Sequence, residues 1–409
     1  MPWKELSVSA QREEFVRLAM MRGANKRALC RRFGISREIG YKWLHRYAAE
    51  GRAGLADRSR RPQASPERTP AAIEAEVLRV RAASNGAWGG RKIAATLGRA
   101  GLERVPAPST ITEILRRHGQ LAANAAEHPG PWQRFERAVP NELWQMDFKG
   151  PFALPQGRCH PLTVLDDHSR YALGLEALGD ERRESVRACL IVIFRRYGLP
   201  FAMIMDNGPP WGEGRGGGYT VLAVWLIRLG IQISHARPFH PQTCGKDERF
   251  HRSFKAEVLA GRAFRDLAHC QRAFDDWRLV YNHQRPHEAL AMAVPAERYR
   301  LSPRAFPQAL PPIDYAPADI VRQVKDGGRI CFRHRLWRVG KAFVGQPVAL
   351  RPADQDGVFT VHFCAQRIGQ IDLRAPACGF VDSAEEALPT TPQAPPPPPQ
   401  EVQKMQLKG

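Results

Sequence analysis

At 409 residues the chain is long enough for two to four ordinary domains. With 61 Lys and Arg against 41 Asp and Glu it carries a formal charge of +20, which points to a polyanionic partner, nucleic acid before any other. Its longest apolar runs, Cys189 to Phe194 and Tyr219 to Ile227, fall short of the roughly 18 residues that cross a bilayer, and the N-terminus lacks a signal-peptide pattern, so the protein is expected away from membranes and in the compartment where it is made.

The charge is concentrated early. Residues 1 to 61 hold 15 Lys or Arg against 6 Asp or Glu. Apolar residues between Ser9 and Met21 share one helical face, a second helix fits Asn25 to Phe33, and Gly34-Ile35-Ser36 reads as a turn with Ser36 capping a third helix from Arg37 to about Glu50. That is a helix-turn-helix over 1–57, with Arg37, Lys42 and Arg46 placed to meet DNA from the third helix. Residues 58–70, rich in Pro, Ser and Arg, predict an extended basic linker in which Arg60 and Arg61 track a phosphate backbone. Over 71–128, helices near Ala71 to Ala83, Arg91 to Ala100 and Ser109 to His118 predict a second helix-turn-helix-like unit, and W-G-G-R-K-I-A-A-T-L offers Arg91 and Lys92 as DNA contacts.

From residue 140 the pattern changes from helical to alternating. Leu143 to Phe152, Leu162 to Asp166 and Arg170 to Leu175 predict three strands. A helix at Glu184 to Tyr197, a strand at Phe201 to Met205, a helix at Tyr219 to Leu229 and a strand at Ile231 to Ser234 follow. This order predicts an α/β domain over 140–300 with a mixed sheet and helices on both faces. Short strands at Arg329 to Phe332, Leu336 to Val339, Pro347 to Arg351, Val358 to Phe363 and Gln366 to Asp372 predict a small β-barrel over 315–376, and 383–409 a Pro-rich disordered tail. Eight scattered cysteines with no C-x-x-C pair read as reduced thiols without structural zinc.

Three carboxylates stand out. In L-W-Q-M-D-F-K-G, Trp144, Met146 and Phe148 fall on one face of a strand and Gln145, Asp147 and Lys149 on the other. In A-M-I-M-D-N-G, Asp206 ends an apolar strand at the carboxyl edge, where open α/β sheets build their sites. In C-G-K-D-E-R-F-H-R-S-F-K, a helix beginning after Gly245 puts Glu248, Arg252 and Lys255 on one face and Phe250, Phe254 and Val258 on another. Converging carboxylates repel unless cations share the site, and oxygen ligands suit Mg2+ or Mn2+, two of which can serve phosphoryl displacement. Lys246, Arg249, Arg252 and Lys255 are candidate phosphate contacts. His240 and His251 are read as DNA-contacting or hydrogen-bonding residues, and Asn282, Arg285 and His287 as caps of the domain's last helix.

The strings W-Q-M-D-F, L-D-D-H-S-R-Y, D-N-G, R-P-F-H-P-Q-T-x-G-K-D-E-R-F-H-R and Y-N-x-x-R-P-H resemble the integrase core of bacterial insertion-sequence transposases, relatives of retroviral integrases, over Asn141 to about Tyr299. The resemblance implies an RNase H-like fold with a DDE site in which Asp147, Asp206 and Glu248 are the catalytic, metal-holding residues. It favours Glu248 over its neighbour Asp247, and sets Asp166 and Asp167 aside as supporting residues. It further implies a transposase that binds terminal inverted repeats, cleaves and transfers strands with Mg2+ or Mn2+, and works as a homo-oligomer on double-stranded DNA in the bacterial cytoplasm, associated with the nucleoid. Two features depart from the pattern. The interval from Asp206 to Glu248 contains the insertion W-G-E-G-R-G-G-G, expected to be a flexible loop near the site, and the zinc-binding His and Cys set of retroviral integrases is missing. A non-catalytic DNA-binding regulator or inactive relic, and a nuclease that cuts without joining, are the alternatives.

Overall fold

The computed structural model describes residues 7–58, 68–121, 136–206, 208–212, 218–235 and 245–374. The linker with Arg60 and Arg61, the glycine-rich insertion at 213–217, His240 and the Pro-rich tail lie outside them. The chain divides into two compact units, 1–69 and 70–409. No described helix is long and apolar enough to cross a membrane.

The first unit contains α1 (Val8–Ala19), α2 (Lys26–Arg32) and α3 (Arg37–Glu50). Ser7, Asn25 and Ser36 begin them, each side chain accepting a hydrogen bond from a backbone N–H three residues on. Gly34 turns the chain between α2 and α3 at φ +63°, a region that side-chain-bearing residues rarely enter. Gly40 lets α3 close on its neighbours, since a Cβ there would stand 2.6 Å from Cys30 Sγ. Phe15, Val16, Ala19, Cys30, Trp43 and Leu55 form the core.

The second unit opens with α4 (Ala71–Ala83), α5 (Gly90–Arg99) and α6 (Pro108–Arg117). Val77, Ile93, Leu97, Ile111 and Leu115 are buried between them. The α/β part follows: β1 (Leu143–Phe148), β2 (Phe152–Ala153), β3 (Arg158–Asp166), β4 (Ala172–Leu178), α7 (Arg183–Tyr197), β5 (Ala202–Met205), α8 (Val221–Arg228), β6 (Gln232–His235), α9 (Gly245–Phe254), α10 (Leu267–His283) and α11 (Pro295–Arg298). A π-helical turn, Lys255–Leu259, extends α9. β3 pairs antiparallel with both β4 and β1, whereas β1, β5 and β6 run parallel, giving the mixed sheet expected. On one face Trp144 and Met146 pack against Leu190, Phe194 and Leu226 of α7 and α8. On the other, Leu165 and Leu175 pack against Phe250, Phe254, Phe274 and Trp277 of α9 and α10.

The polar face expected for β1 is covered as well. Gln145 is 1% exposed and donates to Asp167 Oδ1 at 2.8 Å, so the strand is central and its glutamine is structural.

The C-terminal strands are β7 (Ile320–Gln323), β8 (Arg329–Phe332), β9 (Arg335–Arg338), β10 (Pro347–Pro352), β11 (Val358–Phe363) and β12 (Gln366–Asp372). The expected barrel is a small sheet region here. Among the described residues β12, β11, β10 and β7 form a four-stranded sheet in that order, and β8 and β9 a separate hairpin. The physical reason is where the apolar face goes. Phe332, Trp337, Leu350, Val361 and Phe363 join the same core cluster as α7 and α8, so the sheet is completed by the α/β part. Gln366 seals the junction by bonding both the N–H and the carbonyl of Ile233, at 2.8 Å each, on edge strand β6.

Candidate active site

Parallel pairing of β1 with β5 brings Asp147, one residue from the end of its strand, and Asp206, just past the end of the other, to the same edge of the sheet. Glu248 stands exposed on the first turn of α9, the helix whose Phe250 and Phe254 anchor it to the sheet. Burial pushes the Asp147 carboxyl up to about 7, with Asp206, Glu181 and Glu248 adding like-charge repulsion against one backbone N–H bond. Asp206 is raised too, by burial first, although Gly208 N–H donates to its Oδ1 at 3.1 Å. The chain is held nearby by Trp211, stacked on Phe148 at 5.4 Å, and by the pairing of Gly212 with Tyr219 across the insertion.

Glu181, just before α7, was not singled out from the sequence. It faces both aspartates electrostatically and bonds His160 Nδ1 at 2.8 Å. Nothing in D-E-R-R-E marks it, because its proximity comes from the β4–α7 connection. Among the described residues no group of three carboxylate, His or Cys side chains is close enough to hold an ion as the chain stands.

Asp247, the sequence competitor of Glu248, is 1% exposed and faces inward. Its Oδ1 has no hydrogen-bond partner, and burial, then Asp147 and Asp167, push it far above the carboxylate range. Asp166 and Asp167 are buried and occupied. Asp166 accepts from Asn141 N–H and from both Ser169 donors. Asp167 accepts from Arg137 N–H, Gln145 and Lys246. His251 is 14% exposed, bonded to Thr163 Oγ1 at 3.0 Å and 3.9 Å from Asp147, and burial pushes its ring down to about 4, which makes it a neutral hydrogen-bonding residue.

The cationic residues separate into two groups. Arg249, Arg252 and Lys255 are exposed on α9 and its extension, and Arg37 and Lys42 on α3. Arg46 is half-buried beside Trp43. Arg91 is exposed near Glu288, and Lys92 half-buried. Lys246 does not face solvent as expected. It is 16% exposed and paired with buried Asp167, because the first turn of α9 lies against the hairpin after β3. Lys246→Ala is therefore expected to destabilise the fold by about 3 kcal/mol and leave the salt dependence of DNA binding unchanged. Arg249→Ala should do the reverse, and urea unfolding alongside binding titrations in KCl separates the two. Asn282 is also internal, bonding both backbone groups of Ala172 across the register shift of β3 and β4.

Comparison with known proteins places these elements. Residues 137–241 and 229–295 match integrase core domain models, 11–63 a helix-turn-helix domain and 39–115 a homeodomain-like domain. Residues 319–378 match the C-terminal domain of IS481 family transposases. In these segments the chain is similar to bacterial insertion-sequence transposases and to integrase core domains. The small C-terminal sheet thus lies in the segment that matches the transposase C-terminal domain, and the mixed sheet in the segments that match integrase core domains. An insertion element IS407 protein of Burkholderia multivorans is 31% identical over 39% of this chain and 55% of its own. An insertion element IS476 protein of Xanthomonas euvesicatoria is 30% identical over 39% and 44%. The chain thus spans about half the length of these curated relatives. The HTLV-2 integrase catalytic core domain is 12% identical, covers 40% of this chain and 99% of that one, and has a TM-score of 0.30, too low to bear on the fold.

Proposed function

We propose that the protein binds the terminal inverted repeats of its element and catalyses strand cleavage and strand transfer at Asp147, Asp206 and Glu248. The observation that carries this reading is the accumulation of carboxylates at one sheet edge, where Asp147 is pushed up to about 7 by burial and by like charge. Such an arrangement is costly for a structural site and is relieved by bound cations. The donor set is all oxygen and fits Mg2+ or Mn2+, and unpartnered Asp247 Oδ1 beside Asp147 adds to the demand for positive charge. Asp147, Asp206 and Glu248 would hold the ions, with Glu248 brought in from α9. Bound there, the ions supply Lewis acidity and activation of the attacking oxygen.

Water attacks the phosphorus at the transposon end and the P–O3′ bond breaks. The freed 3′-hydroxyl then attacks a target phosphodiester, one P–O bond forming as another breaks, so no energy source is consumed. Exposed Arg249, Arg252 and Lys255 hold the DNA backbone beside the carboxylates, and the two helix-turn-helix units hold the ends, Arg37, Lys42 and Arg46 from the first. Both ends must be processed together, which calls for a homo-oligomer on DNA in the bacterial cytoplasm. The test is release of a 3′-end on a labelled transposon-end duplex with MgCl2, MnCl2 or EDTA. Cleavage with either metal and none in EDTA is expected. Tight binding without cleavage in either metal would instead favour a DNA-binding regulator.

A further inference from the structure

A cleft of about 490 Å³ opens where α5 and α6 begin, lined by Gly89, Gly90, Arg91, Lys92, Ser109 and Thr112 with Glu288 at its rim. Both helices are ten residues long, and neither has a side chain capping its first N–H groups. The Lys92 ammonium has no hydrogen bond or ion pair among the described residues. Burial, then the cations Arg285 and Arg249, push it down to about 8 against the attraction of Glu257 and Glu288. Those two carboxylates have other partners. Glu257 accepts from Arg285 and Trp277, and Glu288 stands 3.5 Å from Arg91. That exposed pair is worth under about 1 kcal/mol and can open for a stronger anion.

The cleft is fixed to the core. Asn85 donates to the carbonyls of Ala256 and Ala260 at 3.1 and 3.3 Å. Arg99 donates to Met292 O at 2.6 Å and pairs with Glu297, and Val280 of α10 packs into the core of α4 to α6. Arg249, the cation of α9 that Lys92 senses, directly follows Glu248 in the chain.

We propose that this cleft seats a backbone phosphate of duplex DNA, held by Lys92, Arg91 and the Ser109 hydroxyl, and that the strand runs from there over Arg249 toward the three carboxylates. Only the destination of the strand rests on the reading of the core as a DNA-cleaving site. The cleft offers cations, a hydroxyl and uncapped N–H groups, which fit a phosphate in any sequence, so it sets the register of the duplex while base reading is done elsewhere.

The test uses the full chain and two duplexes, one with the element's own terminal sequence and one scrambled, titrated by fluorescence anisotropy over a KCl series. Lys92→Gln is expected to weaken binding to both about five-fold at 0.15 M salt. It should also make the slope of log K against log [KCl] shallower by about 0.9, the loss of one phosphate contact. Ser109→Asp, at an exposed position, should weaken both duplexes alike with no change in melting temperature. Unchanged slope and affinity in both variants, or loss confined to the terminal sequence, overturns the proposal. Should the intact protein fail to cleave while Lys92→Gln still shifts the slope, the cleft stands and the catalytic reading falls. Cleavage by the intact protein with an unshifted slope in Lys92→Gln leaves the catalytic reading standing and removes the cleft.

Discussion

An Asp147→Asn protein is expected to bind duplex DNA as the parent does while cleavage and joining of transposon ends fall by at least about a thousand-fold. Losing one anionic ligand of a phosphoryl-transfer site removes several kcal/mol of transition-state stabilisation, and each 1.4 kcal/mol is a factor of ten. The same substitution should stabilise the metal-free fold. Burial, Asp206, Glu181 and Glu248 raise the Asp147 carboxyl to about 7, against an ordinary 3.8. A carboxyl raised on folding costs stability as pH climbs from about 4 to 7, and the full penalty persists above that. Its side chain is 31% exposed, so solvent screens part of the cost. At pH 8 in EDTA, Asn should recover about 1–3 kcal/mol, visible as a higher urea midpoint that shrinks toward pH 4. Lost activity together with a lower midpoint would mean that Asp147 supports the fold and nothing more.

Glu257→Ala is expected to destabilise the core by about 3–5 kcal/mol, the largest stability effect anticipated here. Glu257 and Arg285 are buried, with side chains 4% and 8% exposed, and Glu257 accepts from Arg285 Nε and Trp277 Nε1 at 2.9 Å each. Arg285 also donates to Ser253 on α9 at 2.8 Å. Removing the carboxylate leaves a guanidinium in the core with one neutral partner and frees the π-helical turn that ends α9. Glu257→Gln, whose single amide oxygen can still accept one of the two bonds, should lose less than the Ala variant. Urea unfolding of the two variants decides the matter, and an Ala variant within 1 kcal/mol of the parent would refute the clamp.

The clamp shows where the sequence was legible and where it was not. Helix α3 begins and ends as read, because Ser36 and Gly34 act within a few residues of the helix they start. Strands Arg329–Phe332, Val358–Phe363 and Gln366–Asp372 also match, since alternation is local. What failed to show was long-range. In Y-N-H-Q-R-P-H, Asn282 and Arg285 read as helix caps, yet they tie α10 to β4 and to α9, contacts made 110 and 28 residues away. Lys246 looked like any surface cation until the hairpin carrying Asp167 folded onto it. β7 escaped notice because Ile320–Gln323 is short and mostly exposed. At the candidate site, Asp147, Asp206 and Glu248 stand out by motif, whereas Glu181 and the inward turn of Asp247 exist only once the strands and α9 are assembled.

Strand transfer of a labelled transposon-end duplex into target DNA in Mg2+, with the intact protein beside Glu248→Gln, bears most closely on the assignment. Joined products from the intact protein, and none from the Gln variant at unchanged DNA affinity, are the expected result. Joining that survives in Glu248→Gln would remove Glu248 from the site, and binding by the intact protein without cutting or joining in Mg2+ or Mn2+ would contradict the transposase activity itself.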